Sequence, residues 1–423
     1  MLTISKVKDL SLKELQKLAK EVGVPEKEIS KIKDKLELIR LIFKTEAQKN
    51  NLDYVKGILD IANNGNYGFL RVKGFLPSPE DVYVTVNQIK KFGLRPGDVV
   101  EGVARPYNED AEGKYRNLLK VDFVGGRLAS EAKLRKHFYD KKPIFPNFRL
   151  KLETRPDVLS TRIMDLLIPV GYGQRGMIVS PPKAGKTWLL KDIANGITQN
   201  YPDTYLMVIL VGERPEEVTD MERSVKGEVI ASNFDELPEH NVKVAELGLE
   251  KAKRLVEWGQ HVVILMDSIT RLARAYNLSI PSSGRTLTGG FDPAAIYPPK
   301  RFFGAARNFE DGGSLTILAT ALVQTGSKMD DLIYEEFKGT GNMELHLDRS
   351  LQERRVFPAI DVQKSGTRRE DLLFTEEELR ASWILRRMLD AVAKQGENPT
   401  EFLISKLKQY KTNEEFIKKL LTA

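Results

Sequence analysis

A short apolar run, Met177-Ile178-Val179, leads into the loop Pro181 to Gly185 and then into Lys186-Thr187 at the head of an amphipathic segment; nothing else in the chain constrains its fold as much. Such a run reads as a buried strand, and Trp188, Leu189, Leu190, Ile193 and Ala194 then recur on one face of a helix. A strand that passes to a helix through small residues aims loop N–H groups and the positive end of the helix dipole at one spot, which is a seat for phosphate. In that seat Lys186 reaches the β and γ phosphates and the Thr187 hydroxyl ligates Mg²⁺. The pattern G-x-x-x-x-G-K-[ST] asks for glycine at position 180, where this chain has Ser180. Taken alone, the stretch also reads as a buried strand with a capped turn.

A chain of 423 residues exceeds one ordinary core and predicts two or three domains. With no cysteine, neither a disulfide framework nor a thiolate metal site is possible. No basic-then-apolar leader and no long apolar run appear, so the expectation is a cytoplasmic protein with no membrane segment. The formal charge of +7 is uneven: residues 1 to 150 hold 29 Lys and Arg against 20 Asp and Glu, and the remainder is slightly acidic. A basic balance is often just a solvated surface, but its confinement to one third of the chain points to a polyanion partner.

Residues 1–47 read as a small helical unit. Ser11 and Glu14 form a capping box, Leu12, Leu15, Leu18, Ala19 and Val22 keep helical spacing, and Gly23 and Pro25 end the helix; a second helix is expected from about Lys35 to Phe43. Over 48–125 the period changes to two. Five short strands between Gly, Pro and Asn turns predict a small barrel of the oligonucleotide-binding kind. On the strand in Gly65 to Lys73, Tyr67, Phe69 and Arg71 share one face, with Gly68 and Leu70 on the other. An aromatic stripe on a strand is commonly core, but Leu70 and Val72 already supply core on the opposite face. Tyr67, Phe69 and Arg71, extended by Tyr83 and Tyr115, thus form a platform for stacking unpaired bases. Residues 126–160, entered through Gly125-Gly126 and holding Pro143, Pro146 and Pro156, read as a linker.

From 161 to 423 strands and helices alternate, which predicts a parallel doubly wound sheet. Tyr205 to Val211 is a strand ending in Gly212-Glu213-Arg214-Pro215; a strand near Val242 to Glu246 and a helix from Leu249 to Trp258 follow. His261 to Asp267 is an apolar strand ending in an acid suited to hold Mg²⁺. Ligands of such sheets bind beyond the carboxyl ends of the strands, so Glu213 is placed to polarise an attacking water and Arg214 to contact phosphate. Two Gly-rich loops, 284–293 with Arg285 and 325–330 with Lys328, serve either as lids or as the lining of a pore around a polyanion.

The ordered set PPKAGKT, GERPEEVT, DSITRLARAYN, LTGGFDP, KRFFGAARN, TGSKMDDLIYEEFKGTGNMELHL and SGTRRE resembles the bacterial transcription termination factor Rho family over nearly the whole chain. The resemblance implies an α/β RecA-like P-loop ATPase domain behind a small helical unit and an OB or cold-shock-like β-barrel. It further implies a homohexameric, RNA-stimulated ATPase and 5′-to-3′ helicase that uses ATP and Mg²⁺, captures single-stranded cytidine-rich RNA, and acts on RNA polymerase with its elongation factors. By the resemblance, Lys186, Glu213 and Asp267 are catalytic and Arg368 is an arginine finger offered to the neighbouring subunit. Nucleotide contacts fall to Gly171, Gly173, Gln174, Arg175, Gly176, Lys183, Ala184, Gly185, Thr187, Trp188, Arg214 and Phe357, and Mg²⁺ to Thr187 and Asp267. RNA falls to Tyr67, Phe69, Arg71, Asp81, Tyr83 and Tyr115 in the barrel, and to Arg285, Thr286, Gly289, Gly290 and Lys328 in the pore loops. Gly113 stands where the family pattern has a glutamate, which bears on base preference. A rotary- or secretion-type ATPase, whose core shares the Gly-Glu-Arg turn, and a passive RNA binder with a degenerate nucleotide fold are the alternatives.

Overall fold

A computed structural model of the chain describes residues 2–62, 64–107 and 115–422. It divides into two compact units: Met1–Phe138 with Leu247–Trp258, and Tyr139–Glu246 with Gly259–Ala423.

In the first unit the capping box at Ser11 forms, and helix Leu12–Val22 ends at Gly23 in the left-handed conformation. The next long helix runs further than its apolar spacing predicts, over Lys35–Lys49, with Asp34 capping the Glu37 N–H at 2.8 Å. Strands β1 (Asp53–Ile61), β2 (Tyr67–Arg71), β3 (Val82–Thr85), β4 (Val99–Ala104), β5 (Arg116–Val124) and β6 (Arg127–Leu128) follow. Their order is β3-β2-β1-β4-β5-β6, and a parallel β3–β5 pairing closes the barrel. A helix, Val86–Phe92, that the period-two pattern does not reveal, leaves β3 through a capping box at Thr85. Leu59, Leu70, Val82, Val84 and Val100 fill the barrel, while Phe43 of the second helix meets Phe123 of β5 edge-on at 6.4 Å. Residues 1–47 and the barrel therefore share buried apolar surface.

The second unit begins with short extended pieces, β7 (Pro143–Ile144), β8 (Arg149–Leu150) and β9 (Val170–Gly171). The stretch expected as linker is thus ordered, β7 pairing with a sheet strand and β8 with β9. The remaining strands are β10 (Arg175–Ser180), β11 (Tyr205–Glu213), β12 (Glu228–Asn233), β13 (His261–Asp267), β14 (Arg307–Phe309), β15 (Ser314–Leu322), β16 (Met343–Leu347) and β17 (Ile360–Thr367). The sheet runs β12-β11-β13-β15-β10-β16-β17, parallel except for β17, which lies antiparallel on β16. One expectation is overturned: the strand near Val242 to Glu246 does not exist, and Pro238–Glu257 is one continuous helix. The alternation of Val242 and Val244 imitates a strand, but Val244, Ala245, Leu247, Ala252 and Val256 bury as a helical stripe, and the edge strand missing from the sequence reading is β12. Among the described residues no helix is long and apolar enough to cross a membrane.

Candidate nucleotide and nucleic-acid sites

Parallel strands put their carboxyl ends at one edge, and β10, β11 and β13 deliver the phosphate loop, Glu213 and Asp267 there. Lys183 adopts φ 63° in the loop, and helix Lys186–Asn200 starts with no side chain capping its first N–H groups. Those donors remain available to an anion. Lys186 Nζ lies 2.5 Å from Asp267 and 3.3 Å from Glu213, two carboxylates that are nearly fully buried. Burial works against the charge on Lys186, but Asp267 and then Glu213 outweigh it, so its pKa is raised and the ammonium persists. Glu213 also accepts from Arg271 at 3.2 Å and from the Arg214 N–H at 3.3 Å; Asp267 accepts from Thr320 at 2.8 Å. Sequence reasoning missed Arg271 and Thr320. A helix leaving β13 turns Arg271 back toward the strand ends, a signal legible in DSITR. Thr320 is set by the register of β13 on β15, which the sequence does not carry.

Beside the loop lies a cavity of about 480 Å³ whose lining includes Arg155, Gly185, Trp188, Asp192 and Phe357. Trp188 is 74% and Phe357 50% exposed, so both rings are available to a planar base. Among the described residues no group of three acidic or histidine side chains is gathered to hold a metal ion. The buried Asp267 carboxylate at the strand ends is a hard oxygen donor of the kind that joins phosphate oxygens in holding Mg²⁺ with nucleotides.

Gly171, Gly173, Gln174, Arg175 and Gly176, expected at the nucleotide, lie at the amino end of β10, across the sheet from the phosphate loop of their own chain. Six residues of strand span about 20 Å. Gly173 is glycine for packing: its φ is 84°, and a Cβ there would sit 2.2 Å from the Asn308 nitrogen. Arg368 is at this same edge, because β17 runs antiparallel and Thr367, its last residue, pairs with Met343 at the start of β16. Its exposed guanidinium has no hydrogen-bond or ion-pair partner among the described residues.

In the barrel, Tyr67 and Tyr83 stack at 5.8 Å and 21°, Phe69 meets both edge-on, and Tyr115 closes on Phe69 at 4.5 Å. The four rings are partly exposed, while Leu70, Val82 and Val84 turn inward. Arg71 is not a free cation. It donates to Asp60 at 2.5 Å and to Asp81 at 2.5 Å, and its guanidinium lies 5.4 Å from the Phe69 ring centre. Asp81 is fully buried and also takes Ser78 N–H and O–H donors, so it faces Arg71 and not the surface. Gly113 lies outside the described residues.

The two Gly-rich loops meet. Residues 284–290 are exposed, and Gly289, at φ 76°, packs so closely that a Cβ would lie 2.6 Å from the Met329 nitrogen, beside Lys328. Arg285, Thr286 and Gly290 ride on the same loop. Lys328 opens helix Lys328–Lys338, whose buried Asp330 receives Arg274 at 2.7 and 2.6 Å and Thr325 at 2.7 Å. This clamp was also missed, since it joins elements more than fifty residues apart.

The "ATP synthase alpha/beta family, nucleotide-binding domain" matches residues 160–367, and the "Rho termination factor, RNA-binding domain" matches 55–129. Transcription termination factor Rho of Bacillus subtilis (strain 168) is 56% identical over 98% of this chain and 95% of its own length. That of Aquifex aeolicus (strain VF5) is 53% identical over 97% and 94%. Among solved structures, a prototypical ATPase from the type III secretion system of pathogenic bacteria overlaps 75% of this chain and 94% of its own with a TM-score of 0.54 at 22% identity, a likeness of fold alone.

Proposed function

We infer the activity from one premise: the chain belongs to the transcription termination factor Rho family. It is an RNA-binding transcription termination factor built on a P-loop ATPase domain, and the secretion-type ATPases are distant neighbours in fold. The finer reading is a homohexameric, RNA-stimulated ATPase that moves 5′ to 3′ along single-stranded, cytidine-rich RNA in the cytoplasm, opens RNA/DNA hybrids, and frees the transcript from RNA polymerase. The observation that carries it is the clustering of Lys186, Glu213 and Asp267 at the strand ends of a chain that also bears four neighbouring aromatic rings on a barrel.

In this reading the helix head and Lys186 bind the triphosphate, and the rings of Phe357 and Trp188 flank the base. Thr187 and Asp267 would hold Mg²⁺, which neutralises charge on the β and γ oxygens when bound. Glu213, fixed from one side by Arg271 and from the other by Lys186, orients the attacking water. Arg214 stands exposed at the head of helix Pro215–Ser224, and in this reading it contacts phosphate. Hydrolysis of ATP with and without a cytidine-rich RNA tests the reading, since an ATPase of the secretion or rotary kind gives one rate in both.

The two RNA-contacting groups have separable effects. One stacked base contributes roughly 1 to 3 kcal/mol, so Phe69→Ala weakens capture of a cytidine-rich oligonucleotide about ten-fold or more. Lys328→Ala leaves capture alone and lowers the RNA-stimulated rate. Direct binding titrations beside ATPase assays distinguish them; identical phenotypes would mean a single RNA surface.

A further inference from the structure

We propose that Asn342 is a positioning residue for Arg368, setting the direction in which the arginine leaves the sheet edge; this rests on the reading of Arg368 as a group that completes a neighbouring subunit's site. The Asn342 carbonyl accepts the Arg368 N–H at 2.9 Å, so the backbone that launches the arginine is anchored at Asn342. Asn342 is anchored in turn on the amino end of β10. Its side-chain oxygen accepts the Gln174 Nε2–H at 2.7 Å and the Arg175 N–H at 2.9 Å, and its own N–H donates to the Arg175 carbonyl at 2.9 Å. Gln174 is buried, and its Oε1 takes the Gly171 N–H at 3.2 Å, which leaves its amide one orientation.

On the far side of Arg368 the chain turns through Arg369 at φ 56°. That turn is clamped by the Arg369 guanidinium on Asp371 at 3.0 and 2.9 Å and over the Phe145 ring at 5.3 Å. Arg368 is therefore held on both sides through its backbone, while its guanidinium stays free. Arg175 and Arg307 share its neighbourhood: burial, then Arg307, then Arg368 lower the Arg175 pKa. Arg175 donates to the Thr340 and Ala306 carbonyls and Arg307 lies over the Tyr139 ring at 5.5 Å, so of the three guanidiniums the one left without a partner among the described residues is that of Arg368. Of the stretch Gly171 to Gly176, Gln174 and Arg175 hold Asn342 and Gly171 holds Gln174, so on this proposal these three act on a nucleotide only through Arg368.

A group that must meet a transition state is sensitive to displacement of about 1 Å, which costs roughly 10²-fold. The full-length protein carrying Asn342→Ala is expected to lose about 10- to 100-fold in kcat. KM for ATP should stay within about two-fold, because the nucleotide's own pocket is untouched. Affinity for ADP with fluoroaluminate, a transition-state mimic, should fall with kcat. Gln174→Met removes the Nε2 donor at similar shape and keeps the test available if Asn342→Ala fails to fold. The deciding measurement is the double variant: a residue that acts only through Arg368 adds no loss to Arg368→Ala, whereas a general structural defect adds its own. Additive losses, or wild-type kcat in the folded brace variants while Arg368→Ala is inactive, overturn the proposal. Wild-type kcat in Arg368→Ala itself would instead fell the reading of the arginine on which it rests.

Discussion

Lys186→Ala is expected to stop ATP turnover and spare RNA capture. The ammonium is the only cation within 3.3 Å of both Asp267 and Glu213 among the described contacts, and each carboxylate is almost completely buried. Without it Asp267 keeps Thr320 and Glu213 keeps Arg271, so the fold retains partners for both acids. What is lost is the charge that balances two buried carboxylates against an incoming triphosphate; like charges at short range in a dry site repel. A single preorganised donor to developing charge is worth roughly 10² to 10³ in kcat, and a full positive charge at the transferring phosphate is worth at least that. Steady-state hydrolysis should therefore drop by about three orders of magnitude or more, with ATP affinity weakened as well. Capture of a cytidine-rich oligonucleotide, measured without nucleotide and assigned by the proposed reading to the rings of Tyr67, Phe69, Tyr83 and Tyr115, should not change. Near-normal turnover would contradict the phosphate-loop reading outright.

What could be read in the sequence follows from how locally each feature is specified. The strand, loop and helix around Lys186, and the strand ends at Glu213 and Asp267, are set by nearest neighbours in the chain, and all three side chains meet in space. The aromatic row was equally legible: period two fixes which residues share a face, and Leu70 declared the opposite face as core. Errors appear where tertiary context decides. Val242 and Val244 alternate like a strand, yet a helical stripe through Val244 and Val256 wins the segment. Arg71 suggests a free cation until Asp60 and Asp81 are found against it, and Asp81, which the family resemblance gives to RNA, is buried. Gly171 to Gly176 adjoin the phosphate-loop strand in sequence, but a strand carries its two ends to opposite edges of the sheet. Only the antiparallel turn of β17, invisible in the residues, brings Arg368 to that same amino edge.

That placement makes Arg368→Ala the second large effect. From the amino edge of β10 the guanidinium cannot reach a nucleotide held at the carboxyl edge of the same sheet, about 20 Å of strand away. If Arg368 takes part in hydrolysis, it does so at another subunit's site. Arginines that supply transition-state charge in this manner are worth roughly 10³ to 10⁵ in rate. Homogeneous Arg368→Ala protein is expected to bind ATP and RNA normally and to hydrolyse slowly by a factor in that range. Mixing it with Lys186→Ala subunits then pairs an intact Lys186 from one with an intact Arg368 from the next, so complete sites arise at some interfaces although neither parent has any. In the proposed ring, sites that fire in strict order would stall at each defective neighbour. Hydrolysis without RNA load, where firing is not coupled to movement, is the informative measurement: activity there above the sum of the two parents is the expected result. Full activity of dilute wild-type monomers would show that one chain completes its own site, and both the trans role of Arg368 and the ring mechanism would fall with it.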